Sequence, residues 1–383
     1  VMNNYRYGLL RRIVSCMCIS VILVSMCVTD VFAASTKKIS AGTLQKGLQY
    51  TLTNMPYNGK YCSLNQKQGY QISSVQNFAI TPDNKYIFTV SECRKGGKKH
   101  TLLTRCAIPK SKGANAKAVC QDSIVLKGYG HGEAIAVTAR GKKAYDIWVA
   151  CTPKGNCGTE IARLTYSMSG KKGKITKTVV IKDFRKANAV YDKKTKKMKA
   201  AYFDKKPVPD RLNVAIDTKS NQIAFRVHFK NGGCNYVFYD YKKLNAALNK
   251  VKNKGSYNIS KAVSLQRANV RSSLVPYNTF QSFTIDGKNL YTCGGHMNKG
   301  AEIWRIPYKI YPNGKVKIQN LKSNSAVKQK YAITPQITVD GQTLKKDALE
   351  IEGLKLINGR FYVNFVMKDI PIRESIGIYS FTK

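Results

Sequence analysis

The chain has 383 residues and a formal net charge of +44 at pH 7. A field of this sign concentrates polyanions and is screened by salt. The predicted partners are therefore an anionic cell-wall polymer or glycan and a bacterial membrane surface. No recognised nucleic-acid-binding motif occurs, which disfavours nucleic acid, and no stretch after residue 33 is apolar enough to span a bilayer. The alternative is that the Lys side chains only solvate the surface.

The first 33 residues have the pattern of a secretory signal peptide. Arg6, Arg11 and Arg12 precede an uncharged run from Ile13 to Val28, and small residues follow up to Ala33. The run is shorter than the roughly 20 residues of a membrane anchor. We therefore predict a signal peptide over 1–33, a single domain over 34–383 with a net charge near +42, and a secreted or cell-wall-associated protein.

Eight of the 11 Cys follow residue 33. An even number of Cys in an exported chain indicates disulfides. The predicted pairs, each within one repeat, are Cys93 with Cys106 and Cys151 with Cys157. The spacing contains no CxxC pair and the four His form no cluster, so the sequence predicts neither a metal site nor a cofactor.

One unit recurs along the chain after a first predicted strand at 48–55. Each copy has an alternating apolar strand, a tight turn, a second strand, a loop and a third strand, which is the pattern of half-buried strands. Between the copies, 170–206 is predicted to carry a strand and a mobile loop, and 242–250 to form a short helix. The five copies span 76–109, 133–168, 212–241, 281–308 and 352–383.

Five copies of a unit with about four strands predict an all-β fold, a five-bladed β-propeller of roughly four-stranded blades. The strand at 48–55 is expected to close the ring beside the last blade. A pair of β-sandwiches is the structural alternative, although sandwiches do not require copies of one unit.

Aligning the copies places polar residues at one position, the start of the innermost strand. That position holds Gln76, Glu133, Leu212, Gln281 and Glu352, and Glu350 lies beside it. Since the innermost strands line the channel of a propeller, these groups could form a ring that binds sugar hydroxyls or a cation. Alternatively, they bond backbone groups of neighbouring blades and set the register between blades.

Residues in or beside this ring could also have one of two other chemical roles. Glu133 and Glu352 could be the carboxyl pair of a glycoside hydrolase, which needs one protonated and one ionised group about 5 to 9 Å apart. His131, just before Glu133, could be a ligand contact, although a lone His is more often hydrogen-bonded to the backbone. No nucleophile elbow or phosphate-binding loop occurs, and we favour a non-enzymatic function.

Three of the copies resemble the helveticin family of class III bacteriocins. The resemblance is carried by FQSFTIDGKNLYTCGG with AEIWRIPY in the fourth copy, HGEAIAV in the second, and EIEGLKLI with IGIYSF in the fifth. It implies a five-bladed propeller in an exported protein that acts at the envelope of another bacterium. Glu133, Gln281, Glu350 and Glu352 are the matching positions. The signal peptide, the eight Cys and the high positive charge depart from the family.

Three hypotheses follow for the function. The first is a secreted cationic propeller that binds anionic envelope polymer or glycan and acts as a bacteriocin on competing bacteria. The second is a hydrolase that cleaves glycans with Glu133 and Glu352. The third is a lectin-like surface adhesin.

Overall fold

A computed structural model describes residues 34–56, 69–113, 116–170, 172–203, 208–298, 300–311, 316–339, 342–367 and 376–383. The predicted signal peptide and Cys62 lie outside these residues. The described residues are mostly strands, which confirms the predicted all-β fold. The described residues include two α-helices, α1 (Ala41–Lys46) and α2 (Tyr241–Asn249). Short 3-10 helices span Phe184–Lys186, Ile259–Leu265, Pro276–Asn278, Asn324–Ala326 and Lys346–Ala348.

The strands form five antiparallel groups, here called sheets 1 to 5, and some sheets gain one further strand. Sheet 1 contains β3 (Gln71–Ile80), β4 (Tyr86–Lys95), β5 (Lys98–Ala107) and β6 (Lys117–Leu126). Sheet 2 contains β7 (Ile135–Gly141), β8 (Ala144–Lys154), β9 (Cys157–Ser169), β10 (Lys172–Lys182) and β16 (Gly255–Asn258). Sheet 3 contains β13 (Pro209–Asp217), β14 (Gln222–Phe229), β15 (Cys234–Asp240), β17 (Gln266–Arg271) and β21 (Ile318–Asn320).

The last two sheets each take a strand from near the start of the described chain. Sheet 4 contains β18 (Ser282–Ile285), β19 (Asn289–His296), β20 (Gly300–Pro307), β22 (Gln329–Ile333) and β1 (Ser35–Ile39). Sheet 5 contains β25 (Leu349–Ile357), β26 (Arg360–Met367), β27 (Ile376–Thr382) and β2 (Leu48–Thr53). Two separate hairpins are formed by β11 (Asn188–Asp192) with β12 (Lys197–Ala201) and by β23 (Ile337–Val339) with β24 (Gln342–Leu344).

The strand predicted at 48–55 is β2, which pairs antiparallel with β27 of sheet 5. Its other edge pairs in parallel with β6, so that sheets 1 and 5 form one continuous eight-stranded sheet. The sequence LQYTLT alternates between buried and half-buried residues, as expected of a strand covered on one face.

The sheets are arranged radially. Their first strands, β3, β7, β13, β18 and β25, contact one another in a closed cycle. Each of five apolar clusters joins two neighbouring sheets, for example Trp148 of sheet 2 with Phe225 of sheet 3, and Tyr291 of sheet 4 with Phe361 of sheet 5. This is a propeller-like arrangement, because burial occurs between consecutive sheets around a common centre.

The turn between the first and second strands of a sheet uses residues that tolerate positive φ. In sheet 5, Asn358 and Gly359 have φ values of 48° and 76° and join the paired residues Ile357 and Arg360. Asn-Gly suits a type I′ hairpin because both central residues need positive φ.

The predicted helix is confirmed as α2, one residue earlier than expected. The Asp240 carboxylate accepts a hydrogen bond from Lys243 N and caps the helix, while Leu244 and Leu248 are buried. The segment 170–206 contains the predicted strand, β10, and the described part of the predicted loop includes the hairpin of β11 and β12. Among the described helices, none has the length and hydropathy to cross a membrane.

The predicted disulfides are wrong, since Cys93, Cys106, Cys151 and Cys157 are free thiols. Cys93 faces His100 and Cys106 faces Ile87 in the ladder of β4 and β5. The two Cys are therefore about 20 Å apart, far beyond the roughly 7 Å that a disulfide spans.

Cys151 and Cys157 lie on neighbouring strands but do not face each other. Cys151 pairs with Glu160 and Cys157 with Lys154, an offset of about 10 Å along the ladder. Sharing a repeat therefore did not bring the members of either predicted pair together.

Candidate functional site

The five first strands surround a central cavity of about 90 Å³. Its walls are mostly Ala, Ile, Val, Leu and Phe, and Lys355 is its charged residue. Burial lowers the pKa of Lys355 to about 7, because an ammonium loses hydration in apolar surroundings. The residues predicted to form a ring lie a few positions earlier, on these strands or just before them.

Two of these residues occupy β-bulges. In β3, Val75 pairs with Ser91 and Asn77 with Val90, which leaves Gln76 as the extra residue. In β25, Glu352 is the extra residue between the paired Ile351 and Gly353. A bulge redirects a side chain and leaves one backbone position unpaired, so the same device occurs in sheets 1 and 5. Both side chains are buried.

Asn77, the neighbour of Gln76, connects three sheets. Its side-chain Nδ2 donates to the backbone oxygen of Glu133 at 2.8 Å and to Ser282 Oγ at 3.1 Å, and its Oδ1 accepts from Phe78 N. A Cβ atom on Gly353 of sheet 5 would lie 3.0 Å from Asn77 Oδ1. Close approach at the centre thus requires glycine in β25, and Asn77 connects sheet 1 to the entry of sheet 2 and to sheet 4.

Glu133 lies at the centre of a charged cluster. Its Oε2 is 2.5 Å from Arg211 Nε, and its Oε1 is 3.5 Å from His131 Nδ1 and accepts from Cys157 Sγ at 3.4 Å. Burial raises the pKa of Glu133, but Arg211 and His131 lower it by more, and the net pKa is below the usual value. Glu133 is therefore an ionised carboxylate, with 14 % of its side chain exposed.

His131 connects Glu133 to a second carboxylate. Its Nε2 is 3.2 Å from Glu92 Oε2, and Lys99 Nζ is 2.8 Å from the same oxygen. Burial lowers the pKa of His131 despite both carboxylates. His131 is thus placed between two carboxylates, one from sheet 1 and one from the entry to sheet 2.

The pKa values of the two carboxyls of sheet 5 are shifted in the opposite direction. Burial raises the pKa of Glu352 well above its usual value, and the nearby Glu350 and Glu133 raise it further. Burial also raises the pKa of Glu350, which accepts a hydrogen bond from Gln281 Nε2. A protonated Glu352 is a hydrogen-bond donor, whereas the ionised Glu133 is an acceptor. The cluster therefore offers a hydroxyl group both a hydrogen-bond donor and an acceptor.

The structure brings most of the predicted site residues together. His131, Glu133, Glu350, Glu352 and Gln281 are linked by contact or by charge coupling. Gln76 occupies a bulge equivalent to that of Glu352. Leu212 differs, because its side chain is buried in the core between sheets 2 and 3.

Arg211, the residue before Leu212, is the main group that the sequence did not indicate. The pairing of β13 with β14 shifts between Pro209 and Arg211, so Asp210 is the extra residue, and Arg211 and Leu212 are both regularly paired. The sequence signal was a cation beside the aligned position, but alignment on apolar residues selected Leu212. Asn77 was missed because it lies one residue after the aligned position. Glu92 was missed because it lies on the second strand of its sheet.

Within the described part of the chain, no group of three or more His, Cys, Asp or Glu is placed to hold a metal ion. The cluster combines carboxyl, amide, imidazole and guanidinium groups at the centre of a radial all-β fold. It defines a propeller-like domain with a polar central site.

A family model described as bacteriocin helveticin-J matches residues 60–366. The chain therefore belongs to the helveticin-J bacteriocin family, as the sequence resemblance indicated. A comparison with curated protein sequences gives no match.

Three solved structures share a distant likeness. A GH62 hydrolase in complex with xylotriose is 8 % identical with a TM-score of 0.33, covering 87 % of this chain and 97 % of that one. A mutant of AofleA from Arthrobotrys oligospora is 10 % identical with a TM-score of 0.31, covering 91 % and 96 %. The C-terminal domain of Pseudomonas aeruginosa PilY1 is 11 % identical with a TM-score of 0.29, covering 77 % and 70 %. At these TM-scores the three structures say nothing about the ligand of this chain.

Proposed function

We propose that this protein is an exported five-bladed propeller that binds a cell-envelope glycan at its central cluster and acts as a bacteriocin on competing bacteria. The family and the radial order of sheets 1 to 5 support this proposal. Sheets 1 and 5 are counted as two blades because each supplies its own first strand to the central cycle.

The observation that carries the proposal is that Glu133, paired with Arg211, has a lowered pKa, whereas the buried Glu352 of the same cluster has a raised one. Side chains that bond only to backbone would not need this arrangement, whereas a ring of donors and acceptors suits the hydroxyl groups of a sugar. The positive charge of the whole chain supplies a second, non-specific attraction to anionic wall polymers.

The test is sedimentation of the purified protein with isolated cell walls, combined with a growth-inhibition assay on the same strains. We expect wall binding to weaken as salt increases, because screening removes the long-range attraction, and a salt-resistant part to be lost in Glu133→Gln. Glu160→Gln, a carboxylate of sheet 2 outside the cluster, is the matched control. Equal wall binding by Glu133→Gln and the unchanged protein would remove the central site from the proposal.

A second candidate function is glycan hydrolysis, which the same observation favours. In glycoside hydrolases one carboxyl is protonated and acts as the acid while the other is ionised, and the raised pKa of Glu352 and the lowered pKa of Glu133 favour these two states. Release of reducing sugar from wall glycans, lost in both Glu352→Gln and Glu133→Gln, would establish it. Binding without any release would leave the non-enzymatic function.

A further inference from the structure

Next to the central cluster, sheet 3 and the segment 273–280, which leads from sheet 3 to sheet 4, line a second cavity of about 370 Å³. Three of its lining side chains are basic, namely Arg211, Arg226 and His228. The other lining residues are Gly232, Ser273, Val275, Asn278 and Phe280. A cavity of this size is in the range of small-ligand sites, and none of its lining residues is acidic.

Arg226 is the unusual member of this lining. Only 4 % of the residue is exposed, and its Nε and Nη1 atoms have no hydrogen-bond partner among the described residues. A buried guanidinium with unused donors is costly. Such a group is expected where a ligand supplies the missing acceptors.

The two neighbouring bases are already neutralised. Arg211 is paired with Glu133 at 2.5 Å, and His228 Nδ1 lies 2.7 Å from Asp210 Oδ1. Among the residues that the structure describes, Arg226 is then the cation of the cavity without a carboxylate in ion-pair contact. An incoming anion would therefore compensate Arg226 without displacing an existing ion pair.

The Arg226 guanidinium is also oriented. Its Cζ atom lies 3.6 Å from the centroid of the Phe280 ring, and Arg211 Cζ is 5.0 Å from the same centroid. Packing against an aromatic ring limits the freedom of a guanidinium, whose fork of donors matches the oxygens of a carboxylate or phosphate.

We infer that this cavity is an oxyanion site, which binds the carboxylate or phosphate group of an acidic sugar or polyol unit. This inference rests on the proposed function, because it makes the cavity the acid-binding part of a glycan site whose hydroxyl-binding part is the central cluster. Arg211 links the two parts, since it pairs with Glu133 and also lines the cavity.

The test is calorimetric titration of the whole protein with glucuronate, with glycerol phosphate, and with glucose as the neutral probe. We expect one or both anions to bind more tightly than glucose. Arg226→Met should weaken that binding about ten- to one-hundred-fold, as expected for loss of a charge-assisted hydrogen bond. The matched control is Arg163→Met, which removes another buried guanidinium, in sheet 2.

A second variant keeps the inference testable if Arg226→Met does not fold. Ser273 is exposed at the rim of the cavity, so Ser273→Glu should fold and place a competing carboxylate near Arg226. It should weaken anion binding, while Ser169→Glu on the exposed end of β9 should not.

The outcomes separate the two proposals. Binding of glucuronate or of glycerol phosphate that depends on Arg226 supports the oxyanion site and identifies which acid group it prefers. Anion affinity no higher than that for glucose, or unchanged in both pocket variants, overturns it. If walls are bound and small anions are not, the oxyanion site fails and the proposed function stands. If small anions are bound and walls are not, the oxyanion site stands and the proposed function fails.

Discussion

Arg211 of sheet 3 and Glu133 at the entry to sheet 2 form an ion pair with 2.5 Å between Nε and Oε2. Their side chains are 23 % and 14 % exposed. The pair joins two consecutive sheets at the centre of the fold and holds Glu133 in its ionised form. The stability of the fold and the state of the site therefore depend on the same contact.

Removal of Arg211 alone should destabilise the protein. In Arg211→Met, Glu133 loses its cation while it stays largely buried, and we expect a loss of about 2 to 3 kcal/mol, below the 3 to 5 of a fully buried pair. The double variant Arg211→Met with Glu133→Gln should regain part of the loss, because no uncompensated charge remains. Urea denaturation of the unchanged protein, the two single variants and the double variant measures the coupling energy. If the losses of the two single variants add up to that of the double variant, the contact is unimportant.

Glu352→Gln should stabilise the protein at neutral pH. The folded state raises the pKa of Glu352, so its contribution to stability is fully present below the unfolded pKa of about 4.5 and is lost as pH rises through the folded pKa. Gln cannot ionise, so the variant does not lose this contribution to stability as pH rises. The difference in melting temperature between the variant and the unchanged protein should therefore grow from about pH 4 to pH 8.

The comparison for Glu352 needs a carboxylate outside the cluster. Glu160→Gln should show no such growing difference with pH. A Glu352→Gln variant with the pH profile of the unchanged protein would mean that Glu352 is ionised and solvated at neutral pH.

Lys355 should give a pH dependence of the opposite sense. Its folded pKa is about 7, against 10.5 for an ordinary lysine. Between these values the unfolded chain binds the proton that the folded chain has released, so the free energy of unfolding rises with pH. Lys355→Met should remove this rise and stabilise the protein most below pH 7, as measured by urea denaturation. The exposed Lys219→Met variant should keep the rise.

The thiols should be unreactive in the folded protein. Burial raises the pKa of Cys93, Cys151 and Cys157 to about 12 in each case, and the thiolate is the reactive form. A thiol reagent should therefore modify these three residues only on unfolding. Peptide mapping without reduction should find no link between Cys93 and Cys106 or between Cys151 and Cys157. Detection of either link would contradict the register of these strands.

Much of the fold was predictable because it depends on local pattern. Period-two alternation and Asn or Gly turns located the strands of each copy, and Asp240 with two buried Leu located α2. The same copies aligned Gln76 with Glu352, and both prove to be bulge residues.

The remaining features depend on register, which residue spacing does not determine. The residue that reaches the site from sheet 3 is Arg211 and not the aligned Leu212, which is buried between sheets 2 and 3. The partners of each cysteine were likewise set by which residues face each other across β4, β5, β8 and β9. The cavity around Arg226 is formed by side chains of sheet 3 and of the segment that follows it, 273–280, and no repeat contains a motif for it.

The pairing of β2 with β27 also sets an order of events. Sheet 5 needs residues from near both ends of the described chain, and a contact with this separation closes late because the loop entropy must first be overcome. During synthesis β2 emerges early, and the edge that pairs with β27 stays unpaired until β27 has been synthesised. A chain that ends before β27 should therefore accumulate as an open, aggregation-prone intermediate. Without β27, sheet 5 lacks the strand that joins β26 to β2.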